Sequence, residues 1–320
     1  MTAMAGDLPK VSVVIPGYNV APYLEDAIAS AKAQTYPAAE IIVVDDASTD
    51  GTPELARQLG ATTFVQTVNG GPSAARNRGV REAAHDLIGF LDADDVWLPT
   101  HLERSVALLR ARPDLAVVST SCELWDGTPA GARPLDGSVE IPADPVVALL
   151  ESNLIEQTSA TVRRAAIIEA GGYDESSRWA EEYDLWLKIA TRHGFARVWA
   201  GGSRHRSRPG QLSRARLRMV ENGFEVRLRH LAALRAASDA ARTARATAAV
   251  IRALNAELAS MWYLDDVVAF EYVLRVARDL PGAEAVHRRW ALRHKLGWRV
   301  WQTLRAAKRR LRPSRASDAA

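Results

Sequence analysis

The chain has 320 residues, 48% of them hydrophobic, with a formal net charge of +3 and one cysteine. That length gives one large or two ordinary domains with enough apolar content for a core. The lone Cys122 excludes an intramolecular disulfide framework and fits a reducing cytoplasm, where it serves as a small core residue. No secretory signal precedes Lys10 and no apolar run reaches the ~20 residues that span a bilayer, so any membrane contact is expected to be peripheral.

The first predicted strand is Val11–Ile15, closed by Pro16-Gly17-Tyr18-Asn19. Pro22 suits the first turn of a helix reaching Thr35, with Leu24, Ile28 and Ala31 on its apolar stripe. Glu40–Val44 is a β-branched run that reads as a strand buried on both faces, and it ends at Asp45-Asp46. The turn Asp50-Gly51-Thr52-Pro53 leads into a helix over 54–59. A strand at 62–65, a helix at 73–84, a strand at 87–91, a helix at 99–111 and a strand at 115–120 follow. This alternation predicts an α/β fold with a mostly parallel sheet flanked by helices. Residues 125–145, rich in Gly, Pro, Asp and Ala, read as a loop. Helices are expected near 146–152, 165–170 and 181–193, and a last strand at 195–199. From Gln211 onward Ala, Arg and Leu favour helices. The expected division is residues 1–210 as the ligand-binding domain and 211–320 as a helical extension.

The strand 87–91 runs into Asp92-Ala93-Asp94-Asp95. Carboxylates this close repel one another unless a cation, or a cation carrying a diphosphate, lies between them. Ligands of open α/β sheets bind outside the carboxyl ends of the strands, so the polar ends of the first, second and fourth strands imply one crevice. None carries a glycine loop of the dinucleotide or P-loop spacing. The phosphates of a nucleotide are therefore expected to be held through metal.

Val11–Asn19, Glu40–Thr52 (EIIVVDDASTDGT), Gly70–Gly79 (GGPSAARNRG), the FLDADD run, Gly171–Glu175 (GGYDE) and Glu181–Trp186 (EEYDLW) together resemble glycosyltransferase family 2, over residues 9–213. The resemblance implies the A-type glycosyltransferase fold, a nucleoside-diphosphate-sugar donor and an Mg or Mn ion. Carried onto this chain, it makes Asp94 the metal ligand and Asp92 a contact to ribose or sugar, while Asp95 caps or orients. Pro16 and Tyr18 then flank the base, Asp46 accepts from the imide of uracil, and Arg76 and Asn77 approach base and phosphate. Arg76 reads equally as a surface salt bridge, and Asp45-Asp46 as an ordinary turn. The catalytic base falls on the second residue of an acidic pair, here Glu182, with Glu181 or Asp184 as the alternatives if the register shifts. Relatives commonly carry Asp where Glu182 stands, and histidine where Arg208 stands. Arg208, with Arg204 or Arg206, is expected to neutralise the departing diphosphate, and His205 is a shifted alternative.

From His287 to Arg315 the chain has no acid. Trp290, Trp301, Leu304 and Leu311 fall loosely on one stripe flanked by cations, the pattern of a helix lying on an anionic membrane; the alternative is a docked terminal helix with a solvated tail. No nucleic-acid motif accompanies these basic residues. The expected function is an inverting, metal-dependent transfer of one sugar to a hydroxyl of a glycan or lipid-linked acceptor of the cell envelope, by a protein that is cytoplasmic or peripheral on the inner membrane face. An inactive nucleotide-sugar-binding partner and a nucleotidyltransferase are the rival readings.

Overall fold

The computed structural model describes residues 8–125, 136–177, 179–206, 215–237, 239–264, 266–295 and 297. Its strands are β1 (Val11–Gly17), β2 (Glu40–Asp45), β3 (Thr62–Val65), β4 (Leu87–Phe90), β5 (Val96–Trp97), β6 (Leu115–Leu124), β7 (Val139–Glu140), β8 (Ala160–Arg163) and β9 (Gly194–His205). They form one sheet in the order β3-β2-β1-β4-β8-β6-β9-β5, with β7 also paired to β9. The pairings from β3 to β4 are all parallel. Beyond them the sheet is mixed, because β8 enters antiparallel between β4 and β6. The four-residue β8 is too short to announce itself by periodicity; with β5 and β7 antiparallel to β9, it adds a mixed half to the parallel half of the expected mostly parallel sheet.

The helices are α1 (Ala21–Lys32), α2 (Thr52–Gln58), α3 (Gly71–Glu82), α4 (His101–Ala111), α5 (Pro145–Glu151), α6 (Arg164–Glu169), α7 (Glu181–Ala190), α8 (Arg216–Ala236), α9 (Ala240–Leu264) and α10 (Val267–Asp279). Proline in the first turn opens α1, α2, α3 and α5, where its missing N–H would have had no helical partner anyway. The core joins Val11, Val13 and Ile15 of β1 to Leu24 and Ile28 of α1 and to Trp97, Leu102 and Val106. On the same strand, Val14 meets Gly79 of α3 so closely that a Cβ there would collide with the valine side chain. Cys122 is buried, and burial pushes its thiol up to about 12, in keeping with a core role.

The chain separates into two compact units, Met1–Ala246 and Thr247–Ala320. In the first, α8 sets Arg229 and His230 against Asp184 of α7. In the second, Trp290 is 3% exposed, packs on Trp262 and Phe270, and donates from Nε1 to Oδ1 of Asn255 at 2.9 Å. This corrects the reading of Trp290 as a membrane-facing residue: its indole is committed to an aromatic core. Leu296, Trp298, Trp301, Leu304 and Leu311 lie outside the described residues. Among the described residues no helix is long and apolar enough to cross a membrane.

Candidate active site

The carboxyl ends of β1, β2 and β4 open on a cavity of about 630 Å³ whose walls include Pro16, Tyr18, Asp46, Arg76, Asp92, Asp94, Glu182 and His205. Residues from distant parts of the sequence thus converge where strand-end logic predicts a ligand. Asn19, Ala47 and Ala180 adopt left-handed backbone conformations, with φ of 53°, 63° and 55°. Asn19 and Ala180 line the cavity and Ala47 follows Asp46. Each such residue costs on the order of 1–3 kcal/mol, and this kind of strain gathers at functional sites. Asn19 offsets part of that cost locally, since its Oδ1 accepts from the Thr49 amide at 2.9 Å.

Tyr18, 50% exposed, offers an aromatic face at the rim. Asp46 is differently placed from a carboxylate waiting for a base. Its Oδ1 accepts from Gln66 Nε2 at 2.6 Å and Gly70 N at 2.8 Å, and its Oδ2 from Gly71 N at 2.7 Å. It therefore organises the first turn of α3 while lining the cavity. Its neighbour Asp45 is fully buried, with Oδ2 accepting from Ser48 N at 3.0 Å.

Arg76 projects from α3 and is buried. Its two terminal nitrogens donate to Asp92 Oδ1 at 2.8 Å and Glu181 Oε1 at 3.0 Å. Burial alone would lower its pKa, but Asp92 and Glu181 more than offset this and hold the guanidinium charged. The surface salt-bridge reading of Arg76 is thereby corrected to a buried two-way bridge. Asn77 is also corrected: it points away from the cavity, donating to Tyr173 O at 2.9 Å and Glu175 Oε1 at 2.8 Å and accepting from Tyr173 N at 2.9 Å. It fastens α3 to the GGYDE segment.

The acids after β4 divide in the same way. Asp95 is buried and accepts from His205 Nδ1 at 3.2 Å and the Arg206 amide at 3.0 Å. The hydrogen bond to Asp95 outweighs burial and pushes the His205 imidazole up to about 9, so it carries its proton beside Asp92 and Asp94. Asp94 is half-buried and lines the cavity. Of the arginines expected near the diphosphate, Arg204 pairs with Glu123 at 3.2 Å. Arg206 pairs with Asp26 at 2.7 Å and lies over the Trp125 ring. Arg208 lies outside the described residues. Among the described residues His205 joins Arg76 as a cation in the cavity lining, at the place expected from the sequence as the shifted alternative to Arg208.

The three possible bases on α7 separate by their partners. Asp184 is held by Lys188, Arg229 and His230 at 2.7, 2.7 and 2.8 Å. Burial would raise its carboxyl, yet these hydrogen bonds keep it well below the usual range. Glu181 is committed to Arg76. Glu182 forms no ion pair among the described residues, and burial, followed by the charge of Glu181, raises its carboxyl to about 7 against the opposing charge of Arg76. A carboxylate at that pKa is suited to accept a proton near neutrality.

Among the described residues no group of three or more His, Cys, Asp or Glu is arranged to hold a metal by itself. Asp92 and Asp94 nevertheless face one cavity, and a hard cation such as Mg needs only one or two carboxylates where substrate phosphates complete its shell. The residues present fit a cation that arrives with a diphosphate.

Comparison with known proteins agrees with this geometry. A model of glycosyl transferase family 2 matches residues 12–140. The chain is 32% identical to an uncharacterized glycosyltransferase, RP339, of Rickettsia prowazekii over 57% of this chain and 58% of that protein. It is 34% identical to the putative teichuronic acid biosynthesis glycosyltransferase TuaG of Bacillus subtilis over 38% of this chain and 50% of TuaG. The chain thus spans less than two-thirds of the length of either relative. The crystal structure of S. aureus TarS 1-349 in complex with UDP-GlcNAc superimposes with a TM-score of 0.67 and 19% identity, covering 85% of this chain and 82% of that one. The two share a fold.

Proposed function

From the match of residues 12–140 to the model of glycosyl transferase family 2 and the similarity to RP339, we propose that the chain is a member of that family and moves one sugar from a nucleoside diphosphate, in the first place uridine diphosphate, to a hydroxyl of a glycan or lipid-linked acceptor of the cell envelope. The observation that carries this reading is Glu182, with its carboxyl raised to about 7, in the same cavity as Asp92 and Asp94. In a single displacement Glu182 takes the acceptor hydroxyl proton as that oxygen attacks the anomeric carbon. The bond from that carbon to the diphosphate oxygen breaks, and the nucleoside diphosphate leaves with the electron pair. The anomeric centre inverts.

In this reading Tyr18 lies against the base, beside Pro16 and near Asp46, while Asp92 meets ribose or sugar. Asp94 would hold an Mg or Mn ion, which when bound supplies charge neutralisation of the diphosphate. His205, kept protonated by Asp95, adds positive charge on the same side. Arg208 would add a second cation. The envelope acceptor is supported by the name of TuaG and by the acid-free basic segment after Glu284. With Trp290 in a core, a contact with anionic lipid rests on residues beyond 297, and vesicle co-sedimentation of a chain ending at Gly297 reads it.

The test is a thermal-shift and turnover panel of nucleoside diphosphate sugars with and without Mn, with product configuration read by NMR. One stabilising donor and an inverted product are expected. Retained configuration would overturn the single displacement, and donor binding with neither transfer nor hydrolysis would favour an inactive sugar-nucleotide-binding protein. Release of pyrophosphate would favour a nucleotidyltransferase.

A further inference from the structure

A second cavity, of about 420 Å³, lies beside the first and is walled by Asp174, Ser176, Trp179, Glu181, Asn222 and Glu225 among others. Trp179, Ala180 and Glu181 line both cavities. The partition between them is one short segment, and an occupant of the second cavity sits one residue along the chain from Glu182. From this contiguity and lining we infer that the second cavity is the acceptor subsite and receives an uncharged sugar ring. The inference rests on the transferase reading above and adds to it the class of the accepting unit.

The volume falls in the range of small-molecule sites, about 300–1,000 Å³. Trp179 is half-buried, and among the described residues its indole stacks on no other ring. It therefore offers a flat apolar face with a polar edge, suited to one face of a pyranose. Around it stand side chains that accept hydrogen bonds from hydroxyls: the carboxylates of Asp174 and Glu225, the Ser176 hydroxyl and the Asn222 amide oxygen.

Charge decides between a neutral and an acidic sugar. The lining carries the carboxylates of Asp174, Glu181, Asp184 and Glu225 against one cation, Arg229, and even with Lys188 beside Asp184 and Arg76 beside Glu181 the acids outnumber the cations. Glu225 is exposed and forms no ion pair among the described residues. Asp174 accepts from the amide and hydroxyl of Ser176 at 2.9 and 2.6 Å, which stabilises its ionised form. Asp174 and Glu225 thus face the cavity without an ion-pair partner among the described residues. A uronate or phosphate placed there would meet like charge, whereas hydroxyl groups would meet acceptors.

The experiment is isothermal titration of the full chain with a panel of neutral oligosaccharides and with oligogalacturonides of matched length, read alongside acceptor KM in the transfer assay. A neutral oligosaccharide is expected to bind about tenfold or more tightly than its acidic counterpart. Trp179→Ala should weaken neutral binding about tenfold, and Trp179→Phe should recover most of it. Glu225→Lys should close or reverse the gap between the two classes. Equal affinity for both classes, no binding by any member of the panel, or indifference to Trp179→Ala in a protein whose melting temperature is unchanged would overturn the subsite. Binding is read without turnover, so a chain that binds neutral sugars through Trp179 but transfers from no donor would overturn the transferase reading and leave the subsite standing.

Discussion

Two strands of the same sheet end in adjacent acids, and the protein uses them in opposite ways. After β2, the Asp46 carboxylate accepts two backbone amides and one side-chain amide, so it serves the architecture of the α3 entrance. After β4, Asp92 is bridged by Arg76 and Asp95 is capped by His205 and the Arg206 amide, while Asp94 lies half-buried on the cavity wall. The carboxylate of Asp46 is committed to amides of the chain around it, whereas that of Asp92 is committed to a buried guanidinium. The Glu181-Glu182 pair repeats the contrast within two residues, one neutralised by Arg76 and the other raised by burial.

The sharpest test of that contrast is Glu182→Gln, which preserves shape and removes the proposed base. Transfer should fall about 10²–10⁴-fold while donor affinity holds. Normal transfer by this variant together with a dead Glu181→Gln would reverse the assignment. Next is Asp94→Ala, expected to lower cation-dependent donor turnover about 10²–10³-fold without moving the melting temperature. Unchanged turnover at limiting Mn would remove Asp94 from the donor site. A smaller effect follows from pH. In the proposed role Glu182 acts as the carboxylate, and with its pKa raised to about 7 it would be protonated and inactive below that value. The free-enzyme kcat/KM should climb about tenfold per pH unit toward pH 7 and then level; a climb centred near pH 4 would show an ordinary exposed carboxylate. Smallest in turnover, Asp46→Ala should cost about 1–3 kcal/mol of stability for each buried donor it strands. A melting temperature identical to the parent would move Asp46 from scaffold to ligand contact.

The positions of the strand ends were legible in the sequence because β-branched runs stop abruptly at acids, as at Val44-Asp45 and Leu91-Asp92. The helices framing them were legible from proline in the first turn and glycine near the ends. The partners of the acids were not. Arg76 and Glu181 are 105 positions apart, and Asp95 and Arg206 are 111 apart. No local pattern encodes such a pairing, since it depends on β8 and β9 folding back beside β4 and β6. The same blindness placed Trp290 on a surface stripe, because an aromatic residue at helical spacing looks alike whether its face meets lipid or Phe270. Asn77 was misplaced for a related reason: it sits next to Arg76 in sequence but on another face of α3, toward Tyr173.

The close approach of Gly79 to Val14 has a consequence for mutational screens. Any side chain at Gly79 must push α3 away from β1, and Arg76 rides on that helix less than one turn earlier. A screen for lost activity would therefore recover substitutions at Gly79 that fold, express and yet mimic damage to the carboxylates of the proposed site. Second-site suppressors of those substitutions should then appear at Val14, as smaller residues on the strand beneath, and none of them would touch a substrate.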